Sequence, residues 1–387
     1  MNALLFCFLF LSAVLPGSDT MHVQPAEEWN LLTSQTSGWL AADGIYSVSE
    51  PKGENIYFLF SDTLCGTTKN FGREFDDVFM ANHTFWRVSS TSGKASFYIP
   101  QRKQNLLPDR YWLQDAFFQD GNLHFTAMIP EKKTWKPKRL DWVTLPLLPD
   151  GTPNFEKAQI VPKIPLLADT PETAFVLGAA IFEDAGDGFL YVFGYADQKN
   201  SFSRKDLIAA RVKPEDVLDF TQWRFWNGKE WGTQLTECTY LAKDISAEFS
   251  ISPIPAGPLA GKFLLVCTRG GISPIVEYRI GESPIGPFGP GKELWRVPEH
   301  RDGISAYNAK AHPALSTSEE LVFTYNLNRL GHLPRTPSEY RPRFLRVRYA
   351  DLVENTLDPA LEHRIPKAGK SETFSSKVRG KDSLRGK

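Results

Sequence analysis

Residues 43–62 read DGIYSVSEPKGENIYFLFSD: an acid, an apolar alternating run, a tight turn at Pro51–Glu54, and a second apolar run ending in another acid. The same order of features returns at Asp115 (DAFFQDGNLHFTAMIP), Gly178 (GAAIFEDAGDGFLYVFGYAD), Glu248 (EFSISPIPAGPLAGKFLLVCTRG) and Lys310 (KAHPALSTSEELVFTYNLN). Successive starts lie 72, 63, 70 and 62 residues apart. A strand-rich unit recurring at that interval reads as one sheet per repeat around a common axis. The expected fold is therefore all-β, a five-bladed β-propeller with blades starting near 43, 115, 178, 248 and 310. Such a fold brings the first residue of every inner strand to one pocket, which makes the five starts candidate site positions.

Working outward, the expected third strands are residues 81–90 in the first repeat, 140–147 in the second and 207–212 in the third. The propeller spans residues 21–355, and residues 22–42 are placed to supply a strand that closes the ring. Ahead of it, LLFCFLFLSAVL (4–15) is shorter than the roughly 20 residues a membrane span needs and suits a signal-peptide core. Residues 1–20 are thus expected to be removed and the protein to be secreted or periplasmic, although no Lys or Arg stands near Met1. Residues 356–387 are polar, basic and aperiodic, the composition of a disordered tail.

Of 387 residues, 44 are basic and 45 acidic, a balance that argues against a nucleic-acid surface. Aromatics make up 13%, which suits strands and, where exposed, sugar stacking. Once the leader is set aside, Cys65, Cys238 and Cys267 remain, too few for a disulfide framework. Cys238 and Cys267 share a repeat, where either a bond or two buried thiols is open. No zinc or calcium spacing appears, so no cofactor is predicted. Carboxylates and amides around an axis leave a central Ca²⁺ open.

In a hairpin, the start of the first strand and the end of the second lie at the same end. Counting outward from the turn at Lys52–Gly53 sets Asp43 opposite Asp62. Two carboxylates that close cannot both ionise freely, and a raised carboxyl beside an ionised one suits glycosidic acid–base chemistry. Asp115 and Glu248 open inner strands of their own and join as supporting or acid candidates, each equally readable as a turn or ion-pair residue. Arg269 falls within counting reach of Glu248. Asn308, His312 and Asn326 offer hydrogen bonds to sugar hydroxyls, with His312 the more readily explained as structural. Trp39, Tyr46, Trp112 and Tyr307 stand near the starts as stacking platforms, among many aromatics that serve the core. Gly178, with no side chain, leaves room either for a ligand or for packing.

The stretches GWLAADGIYSV (38–48), IYFLFSDTLCG (56–66), ANHTF (81–85), YNAKAHPALS (307–316) and LVFTYNLN (321–328) resemble the families called domain of unknown function 4185 and 5005. The resemblance covers roughly residues 38–350. It implies a five-bladed propeller related in architecture to glycoside hydrolase families 43, 32 and 183, and some 4185 members are endo-D-arabinanases. It also implies two catalytic acids early in the chain, which map onto Asp43 and Asp62. The leading expectation is an exported, monomeric glycoside hydrolase acting on a polysaccharide or glycoconjugate, with neither nucleic-acid partner nor membrane span. The rivals are a non-catalytic carbohydrate-binding propeller and a protein-binding scaffold.

Overall fold

Strands make up about half of the described residues, and the only α-helix among them is the six-residue Glu27–Leu32. The computed structural model describes residues 21–199, 204–329 and 332–352. The signal-peptide and tail expectations lie outside these residues.

Each repeat forms its own antiparallel meander. The first sheet runs Tyr46–Ser49, Asn55–Phe60, Thr84–Ser89, Ala95–Tyr98, and the second Trp112–Gln119, Asn122–Pro130, Pro137–Pro146, Gln159–Val161. The third is built on Thr173–Asp184, Phe189–Gln198 and Lys205–Val212, with short strands added on both sides. The fourth runs Phe249–Pro253, Phe263–Thr268, Ile275–Gly281, Lys292–Arg296. The fifth runs Ser305–Ala311, Glu320–Asn328, Arg343–Arg348, and its outer strand is Gln24–Pro25 from the other end of the chain. The N-terminal segment therefore does close a sheet, through Gln24–Pro25.

The apolar residues explain why the sheets stand face to face. Leu59 and Phe85 pack with Leu113 and Phe125 between the first two sheets, and Trp142 packs with Leu177 and Val192 between the next two. Phe193 and Phe249 join the third to the fourth, Leu264 and Phe323 the fourth to the fifth, and Phe58, Trp86 and Phe344 the fifth to the first. Because both faces of most sheets are buried, their strands read as near-continuous apolar runs rather than clean alternation.

One sheet was not foreseen. Ser37–Ala42, Thr63–Lys69 and Glu74–Ala81 form a three-stranded sheet of their own. Its hairpin, TTKNFGREFDD (67–77), is polar enough to read as loop; it is held by Leu40, Ala41 and Leu64 with Tyr340, against which Phe75 and Val78 pack, and by the Asp77–Arg102 pair.

Candidate active site

The innermost strands are tied to one another by short polar side chains. Ser61 Oγ accepts the Leu113 N–H at 3.1 Å, and Ser250 Oγ accepts that of Ala311 at 2.7 Å. Asp115 does the same between the second and third sheets, its carboxylate accepting the N–H groups of Ile181 (2.7 Å) and Ala116 (2.9 Å). His312 bridges the fifth sheet to the first, with Ser47 Oγ and Thr324 Oγ1 each 2.8 Å from a ring nitrogen. Irregular pairing interrupts three inner strands near their cleft ends, at Gln114–Asp115, Gly178–Ala179 and Asn308–Ala309. Bulges of this kind re-aim side chains and gather next to functional sites.

The ends of these strands surround a cleft of about 800 Å³, lined among others by Asp43, Tyr46, Trp112, Glu248, Tyr307 and Asn308. A second hollow of about 670 Å³ adjoins it, and Asp62 opens there. Trp112 and Trp135 line both, stacked 5.8 Å apart at 11°, and so form the ridge between them.

Asp43 and Asp62 meet as the hairpin count expects: the Asp43 N–H donates to the Asp62 carbonyl at 3.2 Å, and the Ser61 N–H to that of Asp43 at 3.0 Å. Gly44 permits this closure, since a Cβ there would lie 2.5 Å from Ser61 Oγ and its φ is +58°. The Tyr307 hydroxyl donates to Asp43 Oδ2 at 2.8 Å. Burial, then the charges of Asp62 and Glu248, push the Asp43 carboxyl up to about 8, with the Tyr307 and Tyr340 hydroxyls opposing. Burial raises Asp62 to about 6, partly offset by the Trp112 N–H.

Glu248 is paired instead with the Lys310 ammonium, which is almost fully buried and sits 4.1 Å above the Tyr46 ring. The Tyr46 hydroxyl is buried next to Glu248. One carboxyl is thus pushed toward its protonated form and another charge-compensated around a single cleft. That is the division of labour acid–base hydrolysis needs.

Five expected site residues lie elsewhere. Trp39 is buried against Phe60 and Trp86, so it is core and not a platform. Arg269 does not hold Glu248; it pairs with Glu277 at 2.8 Å, across its own sheet. His312 has both nitrogens engaged and burial lowers its pKa to about 3. Asn326 donates to the Ala42 carbonyl at 2.9 Å, steadying the backbone that leads to Asp43. Asp115 faces the channel beneath the cleft as an inter-sheet tie, burial raising its pKa to about 7.

Gly178 serves packing: a Cβ there would lie 2.1 Å from Thr126 Oγ1. Cys65, Cys238 and Cys267 are buried free thiols. Four residues that matter carried weak sequence signals or none. Tyr307 and Lys310 were visible at the fifth repeat start, and Trp135 lay in the polar turn after Pro130. Tyr340 sits in a loop with no periodicity to mark it.

The family model for a domain of unknown function, DUF5005, matches residues 26–355. The chain belongs to this family. No curated protein matches it. Among solved structures, a Bacteroides ovatus protein provisionally named a hydrolase superposes with a TM-score of 0.65 at 18% identity, over 86% of this chain and 93% of that one. A B. subtilis levansucrase variant gives 0.48 at 12% identity (81% and 84% covered), and a GH43_1 enzyme of Xanthomonas citri 0.46 at 12% (85% and 90%). At these identities the likeness to the Bacteroides protein concerns the fold.

Proposed function

We propose that this protein is a five-bladed β-propeller glycoside hydrolase, exported from the cell, that cuts a glycosidic bond in the cleft at the axis. The observation that carries the reading is the pairing of opposite carboxyl states on one cleft. Asp43, which takes a hydrogen bond from Tyr307, has no cation against it among the described residues, and that lack favours its protonated form; Glu248 on the same cleft stands with its charge compensated by Lys310.

In this mechanism Asp43 donates its proton to the glycosidic oxygen as the C–O bond breaks. Glu248 takes a proton from the water whose oxygen bonds to the anomeric carbon. Asp62 acts through Asp43, its charge helping to hold the proton there. Tyr307 fixes the carboxyl orientation. Trp112 and Trp135 present flat faces on which sugar rings stack.

The test is reducing-sugar release from a panel of plant and bacterial glycans, arabinans included because of the resemblance to the 4185 family. Release by the wild type should fall by about 10²–10⁴-fold in Asp43→Asn, the usual contribution of a positioned acid. Binding of a glycan with no release from any would leave a carbohydrate-binding propeller instead.

A further inference from the structure

The rim of the cleft carries charge that the mechanism does not use. Five of the eight residues 132–139, KKTWKPKR, are basic and none is acidic, in a chain whose net charge is −1. Residues 131–136 form the turn between Asn122–Pro130 and Pro137–Pro146, and this turn carries Trp135 onto the ridge between the two hollows. Lys136, Lys199 and Lys205 line the main cleft, and Arg110 and Lys132 the second hollow.

The acids lining the same two spaces are as numerous, so compensation decides the sign. Asp43 is pushed toward its protonated form, Glu248 is paired with Lys310, and Asp109 is bound by Arg139 at 2.5 Å. That leaves Asp62 and Asp197. Of the cations, only Lys199 has an acidic partner, Asp169, and that pair stands at 2.6 Å. Lys132, Lys136, Lys205 and Arg110 form no ion pair among the described residues. Lys205 instead lies 5.8 Å from the centre of the Tyr195 ring. The uncompensated charge is positive, and it flanks an exposed indole stack.

From this arrangement we infer that the substrate is an anionic glycan, with sugar rings stacked on Trp112 and Trp135 and its acidic groups met by Lys132, Lys136, Lys205 and Arg110. The inference names a substrate class for the site proposed above and rests on that reading. Carboxylate-bearing and sulfated sugars share the required chemistry. A single-stranded nucleic acid would answer to the same charge and aromatic faces, but the carboxyls of Asp43 and Glu248 on the cleft wall suit a polyhydroxylated ligand better.

The experiment measures binding to the full chain carrying Asp43→Asn, so that nothing is consumed. The probes are polygalacturonate, chondroitin sulfate, linear arabinan and a short oligothymidylate, at low and at physiological salt. One of the two acidic glycans should bind at least about tenfold tighter than arabinan, the worth of one charge-assisted contact, and should weaken as salt rises. The two acidic polymers separate carboxylate from sulfate recognition.

Lys132→Met with Lys136→Met should remove most of that preference, and Trp135→Ala should weaken binding about three- to tenfold, all three positions being exposed. Arabinan bound as tightly as both acidic glycans, no binding by any glycan, or oligothymidylate bound as tightly and indifferently to Trp135→Ala would each overturn the inference. Reducing-end release by the wild type keeps the two ideas apart. Cutting of a neutral polymer alone sinks the charge argument and keeps the hydrolase. Tight binding of an acidic glycan with no cutting does the reverse.

Discussion

Two kinds of acid occupy this molecule, one fully buried and one half-buried, and they are treated in opposite ways. On the third strands of the second, third and fourth sheets, Asp141, Asp206 and Glu277 have almost no exposure, and each is gripped by an arginine two residues away, Arg139, Arg204 and Arg279. Residues i and i+2 share one face of a strand, so that spacing builds the ion pair into the strand itself. At the inner ends of the first sheet, Asp43 and Asp62 are half-buried on the walls of the two hollows, with no ion pair among the described residues and with other acids and tyrosine hydroxyls nearby. An acid needed for architecture is neutralised by its neighbour. Asp43 and Asp62 are left where only a proton can neutralise them. Glu248 stands between the two kinds, its cation coming from the next sheet rather than from its own strand.

Breaking the site side of this comparison should cost most. Glu248→Gln should reduce hydrolysis by about 10²–10⁴-fold, as Asp43→Asn does, when followed by reducing-sugar release. Breaking the other side should leave chemistry alone and cost stability. Arg279→Met removes the better-buried partner of Glu277 and leaves Arg269, which is about half exposed, to hold it. The expected loss is about 3–5 kcal/mol in urea unfolding, with unchanged turnover in the protein that remains folded. A loss of turnover with intact stability would mean the two classes are not separate.

The sequence carried the first half of this division better than the second. The recurring hairpin announces strands, and because its turn is symmetric, counting alone sets Asp43 against Asp62. Counting fails where pairing slips. At Asn308, φ +53° marks the irregular stretch between Tyr307 and Lys310, which leaves Tyr307 on the cleft and Lys310 buried beneath it. A one-residue insertion reverses which face each later side chain meets, and nothing in the run SAYNAKA reveals it. Asn326 and His312 have the chemistry of sugar ligands, yet both are spent on ties between sheets. That use is decided by residues such as Ala42 and Ser47, more than 250 positions away. Polar chemistry can be read from a sequence, but the face that receives it often cannot.

Proton uptake by the uncompensated acids gives a smaller effect of known sign. Folding raises Asp43 to about 8 and Asp115 to about 7 from an ordinary value of 3.8. Between those limits the folded state holds protons that the unfolded chain has released. The stability they confer is therefore complete below pH 3.8 and drains away as pH rises through the folded values. Each such group costs up to about 1.4 kcal/mol per pH unit. Between pH 5 and 7 the wild type should accordingly lose about 3 kcal/mol relative to Asp43→Asn, read as diverging unfolding midpoints. Parallel curves would mean that Asp43 ionises normally in the fold.

The smallest effect isolates Asp62. Its charge is the second cause of the raised Asp43 carboxyl, after burial. In Asp62→Asn that repulsion is gone while the backbone bonds between the two residues can persist. Asp43 then gives up its proton more readily, and the activity it supports as an acid fades at lower pH. The alkaline limb of kcat/KM, which reports the acid in the free enzyme, should shift down by about one unit with little change in the plateau. A plateau that collapses instead would make Asp62 a direct participant, facing substrate from the second hollow. A limb that stays in place would mean that burial and Glu248 alone hold the Asp43 proton.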